Sequence, residues 1–246
     1  MLRRFKGDLH VHTCLSPCGD LQMSPRKIVE QLSKKNIEIV AICDHNSAEN
    51  VTAVTRAAEG KAVVVLPGME VCTREEIHLL AIFENLTSVL EMQSLVYDRL
   101  PGRNNPEVFG LQVVANELDE VVAFQDKMLI GAVEMPVEKV VDEVHRLGGI
   151  AIASHIDRES FSIVSQLGFI PDTLRFDALE LSCHISHEEA GKRFMAYADT
   201  PFVRNSDAHF LKDVGENTSE YVLERPTFRE IAKALRAEDG RKVCGP

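Results

Sequence analysis

Several features are missing from this chain, and each absence narrows its reading. Met1 to Lys6 does not lead into the apolar run of a secretory leader. Gly, Pro or a charged residue interrupts every apolar stretch well short of the roughly 20 residues a membrane-spanning helix needs. Six cysteines stand at 14, 18, 43, 72, 183 and 244 without a Cys-x-x-Cys pair. These points lead to the expectation of a soluble, cytoplasmic protein with no membrane partner. Cations are also short: 27 Lys and Arg against 38 Asp and Glu give a net charge of -11. A protein that relies on neutralising phosphates usually shows the opposite balance, so no duplex nucleic acid is expected as a partner. A local cationic pocket is compatible with that total, and so is a gathering of carboxylates around cations. There is no internal repeat and no low-complexity tract.

What is present reads as one core. The 246 residues, 45% apolar and 26% charged, suit a single α/β domain spanning 1–246. Short Val- and Ile-rich runs at 6–12, 37–44, 62–70, 78–83, 150–155, 177–182 and 201–206 alternate with segments of helical period, the pattern of buried parallel strands joined by helices. Ser24 and Pro25 mark a helix start, with Ile28, Val29 and Leu32 on its apolar face and an end near Lys35. Further helices fit 47–59, 136–147, 186–198 and 227–236. From 84 to 135 the alternation breaks around Pro101-Gly102-Arg103-Asn104-Asn105-Pro106, and this stretch is expected to be an insertion that shapes substrate access rather than metal binding.

The chemistry collects at strand ends. Asp8-Leu9-His10-Val11-His12 places two imidazoles two residues apart, on one face of a strand, where both can grip one ion. Asp44-His45 ends the second run, Glu70 ends the third, and His78 opens the fourth. His155 follows Ile150-Ala151-Ile152-Ala153-Ser154, and Asp207-Ala208-His209 closes the run through Val203. In a parallel barrel such ends share one face, where barrel enzymes keep their active sites. His145 reads as a surface or packing residue, and His184 and His187 as ordinary loop or helix positions.

Taken together, Asp8-Leu9-His10-Val11-His12-Thr13, Cys43-Asp44-His45-Asn46, Pro67-Gly68-Met69-Glu70, His78-Leu79-Leu80, Ser154-His155 and Ser206-Asp207-Ala208-His209 resemble the PHP family. This is the polymerase and histidinol phosphatase superfamily of metal-dependent phosphoesterases. The resemblance runs from His10 to His209 and implies a distorted seven-stranded β/α barrel. It also implies two or three divalent ions (Zn, Mn or Fe), with His10, His12, Glu70 and Asp207 on the first. Glu70 would bridge to a second held by His78 and His155, and His45 and His209 would hold a third. Where many members supply an acid or a further His after the first motif, this chain reads Cys14-Leu15-Ser16-Pro17-Cys18-Gly19-Asp20. Asp20 is the expected hard ligand there and Cys18 the soft alternative.

Asp8 and Asp44 are expected to orient ligand histidines, with Asp44 counted among the residues that serve catalysis. Arg158 is the expected phosphate-binding residue, since a guanidinium can hold a phosphate bidentately. The implied reaction is hydrolysis of a phosphomonoester or phosphodiester by a water activated between two ions. The partner would be a small phosphorylated substrate or a short oligonucleotide. Two alternatives stay open: an amidohydrolase-like activity at the same metals, against which stands the lack of a Lys at any metal-bearing strand end, and a metal-binding module without turnover.

Overall fold

All seven apolar runs pair into one sheet, because strands buried on both faces satisfy their backbone groups only through ladder hydrogen bonds. The computed structural model describes residues 1–244. Its strands are β1 (Arg3–Val11), β2 (Ile39–Ile42), β3 (Val64–Cys72), β4 (His78–Ile82), β5 (Val113–Ala115), β6 (Val121–Phe124), β7 (Ile150–Ala153), β8 (Ala178–Leu181), β9 (Phe202–Arg204), β10 (Ser219–Leu223) and β11 (Lys242–Cys244). The helices are α1 (Pro25–Lys34), α2 (Val51–Ala57), α3 (Leu86–Tyr97), α4 (Pro106–Phe109), α5 (Val137–Arg146), α6 (Ile163–Leu167), α7 (His187–Arg193) and α8 (Phe228–Leu235).

The main sheet has nine strands in the order β11-β10-β1-β2-β3-β4-β7-β8-β9, two more than expected. The extra pair, β10 and β11, adds antiparallel to the outer edge of β1. The sheet is nearly closed: His12 N–H donates to Ala208 O at 3.1 Å, joining the end of β1 to the segment after β9. It is also not wholly parallel. β4 runs antiparallel to both β3 and β7, so its first residue, His78, lies beside the last turns of its neighbours. That reversal lets a strand that begins with histidine contribute to the same face as strands that end in histidine or acid.

Alternate residues divide between two cores, as the strand period of two requires. Ile39, Ala41, Leu66, Leu80, Ile152 and Val203 pack in one, while Val40, Ile42, Met69, Leu79, Ala151 and Leu179 pack in the other against the helices. β1 breaks the alternation. Leu9 belongs to the first core and Val11 to the second, with a register shift between Asp8 and Val11. Such a bulge re-aims side chains, and here it accompanies the turn of His10 and His12 into the buried site.

The span 84–135 adds no strand to the main sheet. β5 and β6 make their own two-stranded sheet, tied down where Val113 N–H donates to Cys14 O and Asn50 caps Val113 and Ala115. α2 starts at Val51 rather than at 47, with Asn50 at the N-cap position. Packing before β7 is tight: a Cβ on Gly149 would sit 2.6 Å from the Phe83 ring and 2.9 Å from Ile82 O. Gly149→Ala is expected to cost about 1–3 kcal/mol through overpacking. Its thermal midpoint should fall by roughly 2–4 °C per kcal/mol, and an unchanged midpoint would contradict this packing.

Candidate metal centre

The strand ends bring His10, His12, His45, Glu70, His78, His155, Asp207 and His209 into one cluster. Glu70 lies at its middle, 1% exposed, in line with His45 across a parallel bridge that extends the β2–β3 pairing. Its Oε1 stands 3.3 Å from His10 Nε2, 3.2 Å from His78 Nδ1 and 3.4 Å from His155 Nε2. Its Oε2 stands 3.0 Å from His45 Nδ1 and 3.6 Å from His12 Nε2. Asp207 Oδ1 lies 3.3 Å from His10 Nε2 and 3.2 Å from His12 Nε2, and those two ring nitrogens are 3.0 Å apart.

These spacings fit a cation-binding site. Ligand atoms about 2.0–2.1 Å from a tetrahedral ion lie about 3.3 Å from one another. Glu70 Oε1, buried and central, has no hydrogen-bond partner, and neither does the buried His155 Nδ1. An unpaired buried carboxylate oxygen is costly unless a positive partner faces it. Within 4.8 Å of one another lie three sets of donor atoms: His10, His12 and Glu70; His45, Glu70 and His78; and His12, His45 and His209.

The rings are held in the tautomers a cation needs. His10 Nδ1 donates to Glu180 at 3.0 Å, and His12 Nδ1 to Ser16 Oγ at 2.9 Å, while Ser16 Oγ donates to Asp44 at 2.7 Å. His209 Nδ1 donates to Asp207 O at 2.9 Å. Each of these Nδ1 atoms is thereby committed, and Nε2 is the nitrogen left to face a cation. His155, Asp207 and Asn46 hold left-handed backbone with φ of 30°, 47° and 50°, the kind of outlier that clusters at functional sites.

Charge follows the same pattern. Burial works against the charged form of Glu70, but His78 and His10 outweigh it and hold the carboxyl well below the ordinary range. Asp207 is held low by His10 and His12 against the same penalty. For His10, burial is outweighed by Glu180, Asp207 and Glu70, which raise it well above an ordinary imidazole, whereas burial beside His209 and His45 pushes His12 well below. Burial opposes ionisation of the Cys18 thiol, yet His209 and His45 bring it down to about 6.

A cavity of about 210 Å³ opens over the cluster. Arg158 lines it and pairs with Asp207 Oδ2 at 2.7 Å. Phe161 lines it too, its ring stacked on His78 at 4.6 Å between centroids.

Three expectations are corrected here. Asp20 does not join the cluster: its carboxylate accepts from Gln22 N–H at 2.7 Å, and Cys18 faces His45 Nε2 at 3.2 Å instead. Asp44 is fully buried, is not among the cavity-lining residues, and has its oxygens occupied by Thr13 and Ser16, so it supports His12 through Ser16 rather than touching a reacting group. Asp8 holds the segment after β9 rather than an imidazole, accepting from the Ser206 N–H and hydroxyl and from the Gly215 N–H.

Glu180, which the sequence reading missed, is the carboxylate that orients His10, and it also accepts from His155 N–H and from Asn205. Its signal was a lone acid in the buried strand Ala178-Leu179-Glu180-Leu181. Glu180→Gln is expected to lower metal affinity about 10–100-fold, the usual cost of losing such a partner. Metal titration checks this, and an unchanged affinity would deny Glu180 the orienting role. His145 lies outside the site, bonded to Asp177 at 2.9 Å. His184 is exposed and next to Cys183, also away from the cluster.

Comparison with known proteins decides the family. The PHP domain model matches residues 8–144, more than half of the chain, and the model of a PHP-associated segment matches 186–239. The chain belongs to the PHP family. Its fold is that of PHP structures. It is 24% identical to the uncharacterized protein YqxK of Bacillus subtilis, over 98% of this chain and 64% of that one. Endonuclease Q of Pyrococcus furiosus, a lesion-specific endonuclease, superposes with a TM-score of 0.74 at 21% identity, over 98% of this chain and 58% of that one. A second endonuclease Q structure has a TM-score of 0.75 at 20% identity, over 99% of this chain and 60% of that one. This PHP chain therefore spans about three fifths of the length of these relatives.

The second endonuclease Q structure holds a 27-mer duplex with an abasic lesion at its active site. This overturns the expectation that duplex nucleic acid is excluded: a protein that contains the same fold holds one. The inference from net charge failed because a total charge says nothing of the local field at one face. Among the described residues, no helix is long and apolar enough to cross a membrane.

Proposed function

We propose that this PHP domain is a metal-dependent phosphoesterase that cleaves a phosphodiester or phosphomonoester of a nucleotide or nucleic-acid strand. The observation that carries this reading is the convergence on Glu70 of imidazoles from separate strand ends, with the Arg158 guanidinium at the mouth of the same cavity. His10, His12, Glu70 and Asp207 would hold one ion, and Glu70, His78 and His155 a second. Bound there, Zn, Mn or Fe ions would supply Lewis-acid activation of water and neutralise charge at phosphorus.

The chain's own residues supply the rest. Asp207 shares its two oxygens between the imidazoles and Arg158, which fixes the guanidinium where a phosphate would enter. The remaining guanidinium donors suit a phosphate's oxygens. Phe161, 40% exposed with a left-handed φ of 56°, offers a ring face beside His78 on which a base can stack. Ile130, from the span 84–135, also lines the cavity, which supports that span as an inserted segment shaping access in a single 1–246 domain. The likeness to endonuclease Q favours a nucleic-acid strand over a small metabolite, with a duplex as a fitting substrate. All six cysteines are free, which suits the reducing conditions of a cytoplasm.

The test is hydrolysis by metal-reconstituted protein of a chromogenic phosphomonoester, a chromogenic phosphodiester and a labelled duplex carrying a base lesion. Turnover of at least one substrate that chelator abolishes is expected. Metal-loaded protein inert to all three would overturn the reading in favour of a binding module.

A further inference from the structure

The third group of donors has a ligand that the strand-end histidines do not account for. Cys18 Sγ lies 3.2 Å from His45 Nε2, on the side of that ring opposite Nδ1, which faces Glu70 at 3.0 Å. Cys18, His45 and His209 all line the cavity, and donor atoms of His45, His209 and His12 lie within 4.8 Å of one another.

The loop that carries Cys18 is firmly set. Ser16 N–H donates to Thr13 O at 3.2 Å, and Gly19 N–H to Ser16 O at 2.9 Å. Asp20 N–H donates to His209 O at 2.9 Å, tying the loop to one of the rings the thiol faces. Gly19 is needed for that winding, because a Cβ there would meet Thr13 O at 2.9 Å and Ser16 O at 3.1 Å. The competing acid, Asp20, is turned away onto Gln22. A separate observation points to a cation in the same cavity: Glu70 Oε1, fully buried, stands without a hydrogen-bond partner.

We propose that the Cys18 thiolate, together with His45 and His209, holds a further divalent ion and makes that position selective for thiophilic metals such as Zn over Mn. An S–N edge of about 3.5 Å is what bonds of about 2.3 and 2.05 Å to a tetrahedral ion give, close to the observed separation. A thiolate beside imidazoles is a soft donor set, which disfavours the hard ions that carboxylates accept. The proposal rests on the metal reading of the site, and its test separates the two.

Full-length protein stripped with chelator is titrated with Co²⁺, followed by thiolate-to-cobalt charge-transfer absorption and elemental analysis. Wild-type protein is expected to develop the charge-transfer band. Cys18→Ser should lose the band and about one ion per chain while keeping the others. Cys18→Asp should regain the ion without the band and shift preference from Zn to Mn. In the unmutated protein, Zn²⁺ should slow alkylation of Cys18 by iodoacetamide, read by mass spectrometry, so the inference stays testable if a variant misfolds. Cobalt binding without the band, a band unchanged in Cys18→Ser, or alkylation that Zn²⁺ does not slow would each overturn the thiolate ligand and leave the Glu70 ions standing. Failure of wild-type protein to bind any metal would overturn the metal reading itself.

Discussion

Glu70→Gln is expected to be the most damaging single change. The variant should hold less metal and lose activity by on the order of a thousandfold. Its carboxylate touches five imidazoles, and both oxygens are used: Oε1 faces His10, His78 and His155, and Oε2 faces His12 and His45. An amide of the same shape keeps the packing of β3 but removes the negative charge and replaces one cation-binding oxygen by an NH2 group, which can only donate. Several kcal/mol of charge stabilisation goes with the ions it would bridge, and each 1.36 kcal/mol is about a factor of ten in rate. Circular dichroism separates this from unfolding. A folded Glu70→Gln protein with unchanged metal content would remove Glu70 from the centre of the site.

Arg158→Ala comes next in expected size and should separate chemistry from metal binding. Arg158 touches Asp207 through Oδ2, the oxygen turned away from the His10 and His12 contacts made by Oδ1. Metal content at saturating ion should therefore hold, while turnover of a phosphate ester falls about 10²–10³-fold, the range for removing one preorganised donor from a developing charge. Arg158→Lys should recover part of it, because a point charge lacks the planar fork. Full activity in Arg158→Ala would leave Arg158 as a counter-ion of Asp207 with no role toward substrate.

Much of the fold was legible because it rests on local pattern. Each buried strand of the barrel announces itself as a short Val- and Ile-rich run, and α1 and α5 show their apolar faces at helical spacing. β10 and β11 were not legible: Ser219-Glu220-Tyr221-Val222-Leu223 reads as a weak half-polar alternation, and its pairing with β1 joins opposite ends of the chain. The direction of β4 is equally invisible, since the period of two is the same either way. The two added strands leave the site untouched, whereas the reversal of β4 brings His78 to it.

Within the site, the residue types at strand ends identified the cluster, but partners set by tertiary structure did not show. Choosing between Cys18 and Asp20 depends on a turn pinned to His209 O, almost two hundred residues away in sequence. Glu180 reaches His10 across the nearly closed sheet, and only its oddity as an acid in an apolar strand marked it. Asp44 was read as a direct partner of an imidazole, and Ser16 intervenes. Net charge misled about duplex nucleic acid because carboxylates spread over the surface and those buried at the site count alike in the sum of -11.

The central claim, that these eight residues form a multi-ion centre, is tested most directly by metal analysis of the purified, reconstituted protein. The expected result is about two or more equivalents of Zn, Mn or Fe per chain, since Glu70 and the imidazoles around it offer more donors than one ion of four to six coordination can take. Less than about one equivalent after reconstitution with each of these metals would contradict it.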